Sequence, residues 1–497
     1  MKRMLSTILT ASLLGAALSG CGSKPAQESS TTQAAATTQA PTKAEAETAA
    51  PGADQAGAQE DNKEWFGTPD GKTVNLRFYG GVQPEYGYDE VCQRFNEEYK
   101  DKGVQIEYVR YVNNTDGNLQ LDIYLQGGGE VDVFMGYGGK SALNKRVEAG
   151  MVLDMADYLK AYDFDLVKEL GEINMLNYTY DNGECYGFPT KYENGVWMLI
   201  NADMFNAAGV PIPYDGWTYS EFLDAIEKLT HGEGQEKVYG MCWEFNENWS
   251  GHSAMLGSAL DPYAAYKDAD ATEVNYDHEV WKQGFEMMKT SLDNGWAVSI
   301  EDEVSENIKC ANFFLEEKCA IALNVSQMRL VMDQENYPHD FVTALVPSPV
   351  PDGEEYNTPL HRTHSQKVGA GDLICVAAKT EYPDAAFEFA MWYLTGGMAP
   401  VAKGGRIPLW TGFNKDSIVA MINENAGDSI DEKSLRNYLA IDNTQGVKSI
   451  LSPVNSQIGD IYKEEVQSLL YGRQTVDETI ENLVSRCNKQ LADAAAK

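Results

Sequence analysis

Residues 22–64 contain no Val, Ile, Leu, Met, Phe, Trp or Tyr. That stretch constrains the fold more than any other feature, because every packed element must be built from Trp65 onward. It is mostly Ala, Thr, Gln, Glu, Gly, Ser and Pro. Such a composition cannot bury enough apolar area to offset its ordering entropy, so it is expected to be a disordered linker. A chain of about 40 residues has a typical end-to-end distance of about 35 Å on the Gly-rich estimate.

The segment before the linker looks like a targeting signal. Lys2 and Arg3 precede an uncharged run of 17 residues, Met4 to Gly20. That is short for a membrane span of about 20. The run ends Leu18-Ser19-Gly20-Cys21. This resembles a bacterial lipobox, where small residues let a peptidase cut before a cysteine that carries a diacylglyceryl group. The expectation is a lipoprotein signal peptide at 1–20, then lipidated Cys21 and the linker at 21–64. An ordinary signal peptide with an incidental cysteine is the alternative. Two acyl chains anchor stably where one is marginal. The chain is thus expected on the outer face of the cell membrane, or in the periplasm of a cell with an outer membrane.

The remainder, from Trp65 to the end, has room for two or three domains and a large core. Across the chain, hydrophobic residues make up 43% and aromatics 10%, which excludes a fibrous or wholly disordered protein. The formal net charge is −36, and loss of Lys2 and Arg3 would take it to −38. Polyanions would be repelled, so general nucleic-acid binding is not expected. The acidic balance fits a neutral or cationic ligand without selecting one. Beyond Cys21 there are seven cysteines: Cys92, Cys185, Cys242, Cys310, Cys319, Cys375 and Cys487. No C-x-x-C spacing occurs, so a structural zinc site is not expected. Free buried thiols are the simplest reading; one disulfide is possible, but no pair stands out.

Strand and helix patterns alternate along this part. Val74 to Tyr79 alternates and stops at Gly80-Gly81. Residues 88–100 have helical spacing through Val91, Phe95 and Tyr99. Val104 to Val109 alternates again, and Val131 to Met135 is a short apolar strand before a Gly-rich turn. Thr218 and Glu221 form a capping pattern before a helix with the apolar face Phe222, Ile226 and Leu229. Further strands are expected at 187–201, 319–325 and 368–378, and further helices at 384–394 and 477–491. Repeated β-α units imply an α/β protein with largely parallel sheets.

One block is more specific. It runs Tyr186-Gly187-Phe188-Pro189, then Leu199-Ile200-Asn201-Ala202-Asp203-Met204-Phe205-Asn206-Ala207-Ala208-Gly209-Val210, then Trp217-Thr218-Tyr219-Ser220-Glu221-Phe222. Gly150 to Met155, Cys319 to Leu323, Asp384 to Phe389 and Gly472 to Glu478 add to it in the same order. Together, over about residues 72–495, these segments resemble the extracellular solute-binding proteins of ABC importers. The carbohydrate-binding group typified by the maltose-binding protein is the most similar. The resemblance implies a type II, periplasmic-binding-protein-like α/β fold of two lobes, with a hinge and an interlobe cleft. It places lobe 1 at 65–190 plus 345–410 and lobe 2 at 191–344 plus 411–497. It implies a carbohydrate ligand, delivery to permease subunits, and a monomer without catalysis, cofactor or metal.

A sugar site needs aromatic faces beside groups that bond hydroxyls. By resemblance, four loops reach the cleft. They carry Tyr79, Gln83 and Glu85; Tyr137; Tyr192 and Glu193; and the run Trp243 to Trp249 with Trp243, Glu244 and Trp249. The last is the favoured site, because two tryptophans among acids and amides are hard to explain as a plain core strand. Gln327 follows the 319–325 strand, where the maltose binder has a tryptophan. Arg406 and Trp410 lie near the last crossing. For each of these residues, packing is the competing explanation. The maltose binder's C-terminal stacking tryptophan corresponds to Gly459 here, which argues against maltose itself.

Other motifs fail. Gly138-Gly139-Lys140-Ser141 lacks the first glycine of a phosphate loop, that position being Phe134; a turn at the cleft explains it. Asp268, Asp270, Thr272 and Glu279 have calcium-loop spacing, but Glu273 stands where glycine is needed. His361-Arg362-Thr363-His364 has the wrong spacing for a helical metal pair, and no Gly-x-Ser-x-Gly elbow occurs. Two alternatives remain open: the same transport role with a polyamine, peptide or other non-sugar solute, and, more remotely, a secreted glycan-active enzyme.

Overall fold

The computed structural model describes residues 73–496 except 114, 176–177, 181, 194–196, 246–248, 261–264, 324–326, 359–361, 363–368, 403 and 441–451. The signal segment, Cys21, the linker and the pair His361 and His364 therefore lie outside the described residues.

Among the described residues, nine strands form two sheets. The first holds β1 (Val74–Gly80), β2 (Val104–Arg110), β3 (Val133–Gly136), β4 (Phe188–Glu193) and β9 (Gly369–Val376), in the order β2-β1-β3-β9-β4. The second holds β5 (Met198–Asn201), β6 (Tyr239–Cys242), β7 (Cys319–Leu323) and β8 (Thr343–Val346), in the order β6-β7-β5-β8. Val74 pairs with Val104 in parallel, and Phe78 pairs with Val133 in parallel. The helix Tyr88–Glu98 makes the first of these crossovers, burying Val91 and Phe95 against the sheet as their spacing predicts.

The expectation of largely parallel sheets holds only in part. β3–β9, β9–β4, β5–β7 and β5–β8 are antiparallel. Parallel neighbours need a crossover through a helix, whereas antiparallel ones do not. β4, β5, β8 and β9 flank the passages between sheets, so each enters its sheet from the direction of the other lobe.

The second sheet shows why its strands read as unbroken apolar runs. Met198, Ile200, Met241, Ile321 and Ala344 face one core, and Leu199, Cys242, Ala322 and Leu345 face another. Successive side chains alternate sides, so a sheet covered on both faces needs apolar residues at every position. The helix Tyr219–Leu229 packs on the first of these faces. Its Thr218–Glu221 capping box is formed, and Phe222, Ile226 and Leu229 are buried.

At two points a sheet extends past the expected lobe boundary. β4 stays in the first sheet through Glu193, which pairs with Gly369. β8 completes the second sheet, with Leu345 opposite Leu199. Val350 still pairs with Trp217 of the second lobe. The apolar run of β8 carries no turn signal that would separate it from the lobe it finishes. The third passage runs beside β4: Tyr192 N–H donates to Ile407 O at 2.9 Å, and Leu409 N–H donates to Thr190 O at 2.9 Å. Ile407 packs in a core of the second lobe and Leu409 in that of the first, so this short pairing links the two.

Candidate functional site

A cavity of about 450 Å³ opens at the carboxyl ends of β1 and β3, beside the third passage. Open α/β sheets commonly bind ligands at such strand ends. β1 runs into Gly81, where an added Cβ would lie 2.8 Å from Asn113 Cβ and 3.0 Å from the Tyr137 ring. Glycine thus lets three strand-end loops close on one another. The Gly81 N–H donates to the Tyr137 hydroxyl at 3.0 Å, which orients the phenol. Gly138 and Gly139 follow with φ of +86° and +64°, a region that L side chains avoid. They start the helix Gly139–Glu148, which has no side-chain cap, and its amino end forms part of the wall.

The floor is charged. Asp372 sits within β9 at a φ of +50° and is 8% exposed. Its carboxylate lies 3.0 Å from Arg406 Nε and 3.7 Å from Lys191 Nζ. The Arg406 guanidinium sits 5.9 Å from the centroid of the Tyr88 ring. Burial opposes the Arg406 charge, but Tyr88 and Asp372 outweigh it and keep the group protonated. The second lobe contributes Arg329, from the helix Met328–Met332. Gly405 lets the third passage approach that helix, since its added Cβ would be 3.2 Å from Arg329 N. Burial and the like charge of Arg406 push the Arg329 pKa down from its ordinary value.

A second cavity, of about 420 Å³, lies by the same passage. Tyr192, Trp410 and Phe413 line it, with Leu170 and Asn174 from the first lobe and Ile418 from the second. Trp410 Nε1 donates to Glu169 Oε2 at 3.0 Å.

The structure therefore gathers Gln83, Tyr137 and Arg406 in the first cavity, and Tyr192 and Trp410 in the second. The other candidates are scattered. Tyr79 is buried in β1 with its ring centroid 6.1 Å from that of Tyr124. Glu85 is exposed in the turn Pro84–Tyr86. Gln327 is the N-cap residue of the Met328–Met332 helix. Glu193 ends β4, and its side chain lies outside the described residues.

The described part of the favoured loop lines neither cavity. Trp243 is fully buried in the second lobe, its Nε1 donating to Ser291 Oγ at 2.9 Å. It packs against Phe222 and His252 and lines neither cavity. Trp249 is half-buried, 5.6 Å from Phe245 between ring centroids. Glu244 is buried at a φ of +64°. The reason is local. A disulfide joins Cys242 to Cys310, and the buried Glu303 carboxylate accepts from Trp243 N–H at 3.2 Å and Phe245 N–H at 2.6 Å. These ties draw the loop start into the core. The middle of the loop, 246–248, lies outside the described residues.

The same three residues, Cys242, Glu303 and Cys310, are close enough to hold a metal, but the disulfide removes both thiolates from such a role. The remaining five described cysteines are free and buried. Asp268, the first residue of the calcium-like spacing, accepts instead from Asp270 N–H at 3.0 Å and Thr272 N–H at 3.1 Å. Sequence reasoning missed Arg329, Asp372, Asn113 and Tyr178. Asp372 had a visible signal, as an acid inside the apolar β9 run; the others had none. No described helix is long and apolar enough to cross a membrane.

Comparison with known proteins agrees with this arrangement. The family model described as bacterial extracellular solute-binding protein matches residues 80–398. No curated protein matches the chain. A sugar transporter protein from Rhizobium etli, solved in an open conformation, is similar at a TM-score of 0.63 and 20% identity, over 84% of this chain and 99% of that one. An ABC substrate-binding protein of Listeria monocytogenes in complex with cycloalternan is similar at 0.62 and 18%, over 85% of this chain and 100% of that one. The GacH receptor of Streptomyces glaucescens, solved unliganded and with acarbose, is similar at 0.60 and 16%, over 85% and 99%.

Proposed function

Because the chain belongs to the bacterial extracellular solute-binding protein family, we propose that it captures a carbohydrate, an oligosaccharide, between its lobes and presents it to the permease subunits of an ABC importer. The observation that carries this reading is the cavity of about 450 Å³ whose wall takes residues from both lobes. That volume falls in the range of about 300–1,000 Å³ usual for small-ligand sites. Gln83, Asn113 and Tyr178 supply groups that bond hydroxyls, and Tyr137 supplies an aromatic ring. The named ligands of the Listeria and Streptomyces proteins, cycloalternan and acarbose, support a saccharide.

A ligand touching both walls favours the arrangement that brings them together, and shifts the equilibrium by its differential affinity for that arrangement. The permease then distinguishes loaded from empty protein. The chain acts as a monomer, without covalent chemistry and without a cofactor. A lipid on Cys21 and the linker to residue 64 hold it at the outer membrane surface. A polyamine or other cation is disfavoured, because Arg329 and Arg406 line the cavity against the single carboxylate of Asp372.

The test uses the Cys21→Ala chain, which takes no lipid. Its melting temperature and tryptophan fluorescence are recorded with mono- and oligosaccharides, polyamines and peptides. A ligand that binds only the native state raises the melting temperature by mass action. A shift with a saccharide class that is not consumed supports the proposal. Shifts with cations or peptides alone, or accumulation of a hydrolysis product, would overturn it.

A further inference from the structure

We infer that the interlobe cavity takes an acidic saccharide, and that Arg329 holds the carboxylate of its uronic-acid unit. The inference rests on the carbohydrate reading above and deepens it. Arg329 reaches the cavity from the second lobe and makes no hydrogen bond or ion pair with any described residue. Withdrawing a guanidinium from water without a partner is costly, and such groups are normally paired. Its neighbours add to the cost. Arg406 lines the same cavity, and Lys191 lies against the same floor. Among the described residues, Asp372 is the one acid in the lining, and it is already engaged by Arg406 and Lys191. The local balance is therefore cationic in a chain whose net charge is −36.

The uncapped start of the Gly139–Glu148 helix lines the same cavity and adds a positive end there. Glu244 is an acid that acts on Arg329 from the second lobe, less strongly than burial and the like charge of Arg406 oppose it. A neutral sugar would leave the guanidinium unmatched. A planar carboxylate fits its fork with two parallel bonds. Because Arg329 and Asp372 belong to different lobes, an acidic sugar that meets Arg329 while its hydroxyls meet the first-lobe wall would also draw the lobes together.

The experiment compares oligogalacturonates of two and three units with the same compounds after reduction of their carboxyl groups to alcohols. Calorimetry is carried out on the Cys21→Ala chain and on the same chain with Arg329→Gln. The acid form should bind about ten- to a hundredfold more tightly than the reduced form, the size expected for one charge-assisted pair. Arg329→Gln should erase that preference while the unliganded melting temperature stays that of a folded protein. The comparison of acid with reduced sugar needs no variant, so it decides the matter even if Arg329→Gln folds poorly. Equal binding of acid and reduced forms would overturn the inference and leave the carbohydrate reading intact. Tighter binding of neutral glucans than of any uronate would overturn it too. Binding of no saccharide at all would overturn both readings.

Discussion

Trp243 shows how one residue's role follows from its surroundings. Its indole is fully buried and donates to Ser291 Oγ at 2.9 Å. Trp243→Phe should lower stability by about 2 kcal/mol, through a lost hydrogen bond and a small void. Ligand affinity should stay within about twofold; a sugar platform would lose far more. Denaturant melts and calorimetry separate the two outcomes. Beneath the same loop, burial pushes the Glu303 carboxyl up to about 8, against the N–H groups of Phe245 and Trp243 that favour its charge. Its unfolded value is 4.5, so between those values the folded state keeps a proton that the unfolded state has released. Stability must then fall as pH rises through that window. His252 acts with the opposite sign: burial lowers it from 6.5 to about 4, so stability falls as pH drops through that range. Above pH 6.5 only the Glu303 contribution is left. Glu303→Gln should therefore remove a decline of roughly 1 kcal/mol between neutral pH and pH 8, read as melting temperature against pH.

At the scale of elements, the strongest local constraint is the disulfide from Cys242, at the end of β6, to Cys310 at the start of the helix Cys310–Leu315. It closes a loop with a sequence separation of 68. Replacing both cysteines by alanine should cost about 4 kcal/mol on the chain-entropy estimate, measured from the denaturant midpoint. An oxidising, extracellular setting suits such a bond. No sequence signal picked this pair from the seven, because pairing depends on which strand and helix ends the fold brings together. The capping boxes were different. Thr218 with Glu221 and Thr475 with Glu478 are both formed, and the first was visible from four residues alone. Strand β1 and the helix Tyr88–Glu98 were legible for the same reason: period and side-chain type are local properties. The direction of β4, β5, β8 and β9 was not, because it depends on how the chain passes between sheets.

In the proposed function, the whole molecule works through the approach of its lobes. Tyr86, in the first lobe, donates its hydroxyl to Asp333 Oδ2 in the second at 3.2 Å. That bond exists only when the lobes are this close. Tyr86→Phe should weaken ligand binding about fivefold, by removing about 1 kcal/mol from the closed arrangement alone. Calorimetry checks the affinity. X-ray scattering should show the wild-type radius of gyration falling as ligand is added. Net charge and local charge differ at this scale. A value of −36 suggested a neutral or cationic solute, yet the cavity is locally cationic. Screening limits the reach of surface charge to about 8 Å at physiological ionic strength, so a lined cavity sets its own field.

The sequence by itself determined the family, the α/β class and the main local elements. Each is carried by composition, period or contiguous motif, and each survives without knowledge of distant contacts. Gln83, Tyr137 and Arg406, expected at a cleft by family resemblance, line the first cavity. Tertiary structure alone decided which candidates share a cavity. It buried Trp243, paired Asp372 with Arg406 and Lys191, and brought Arg329 from the second lobe to the same wall. A binding site is a meeting of residues far apart in the chain. Only the packing of two sheets about a common passage determines which of them arrive.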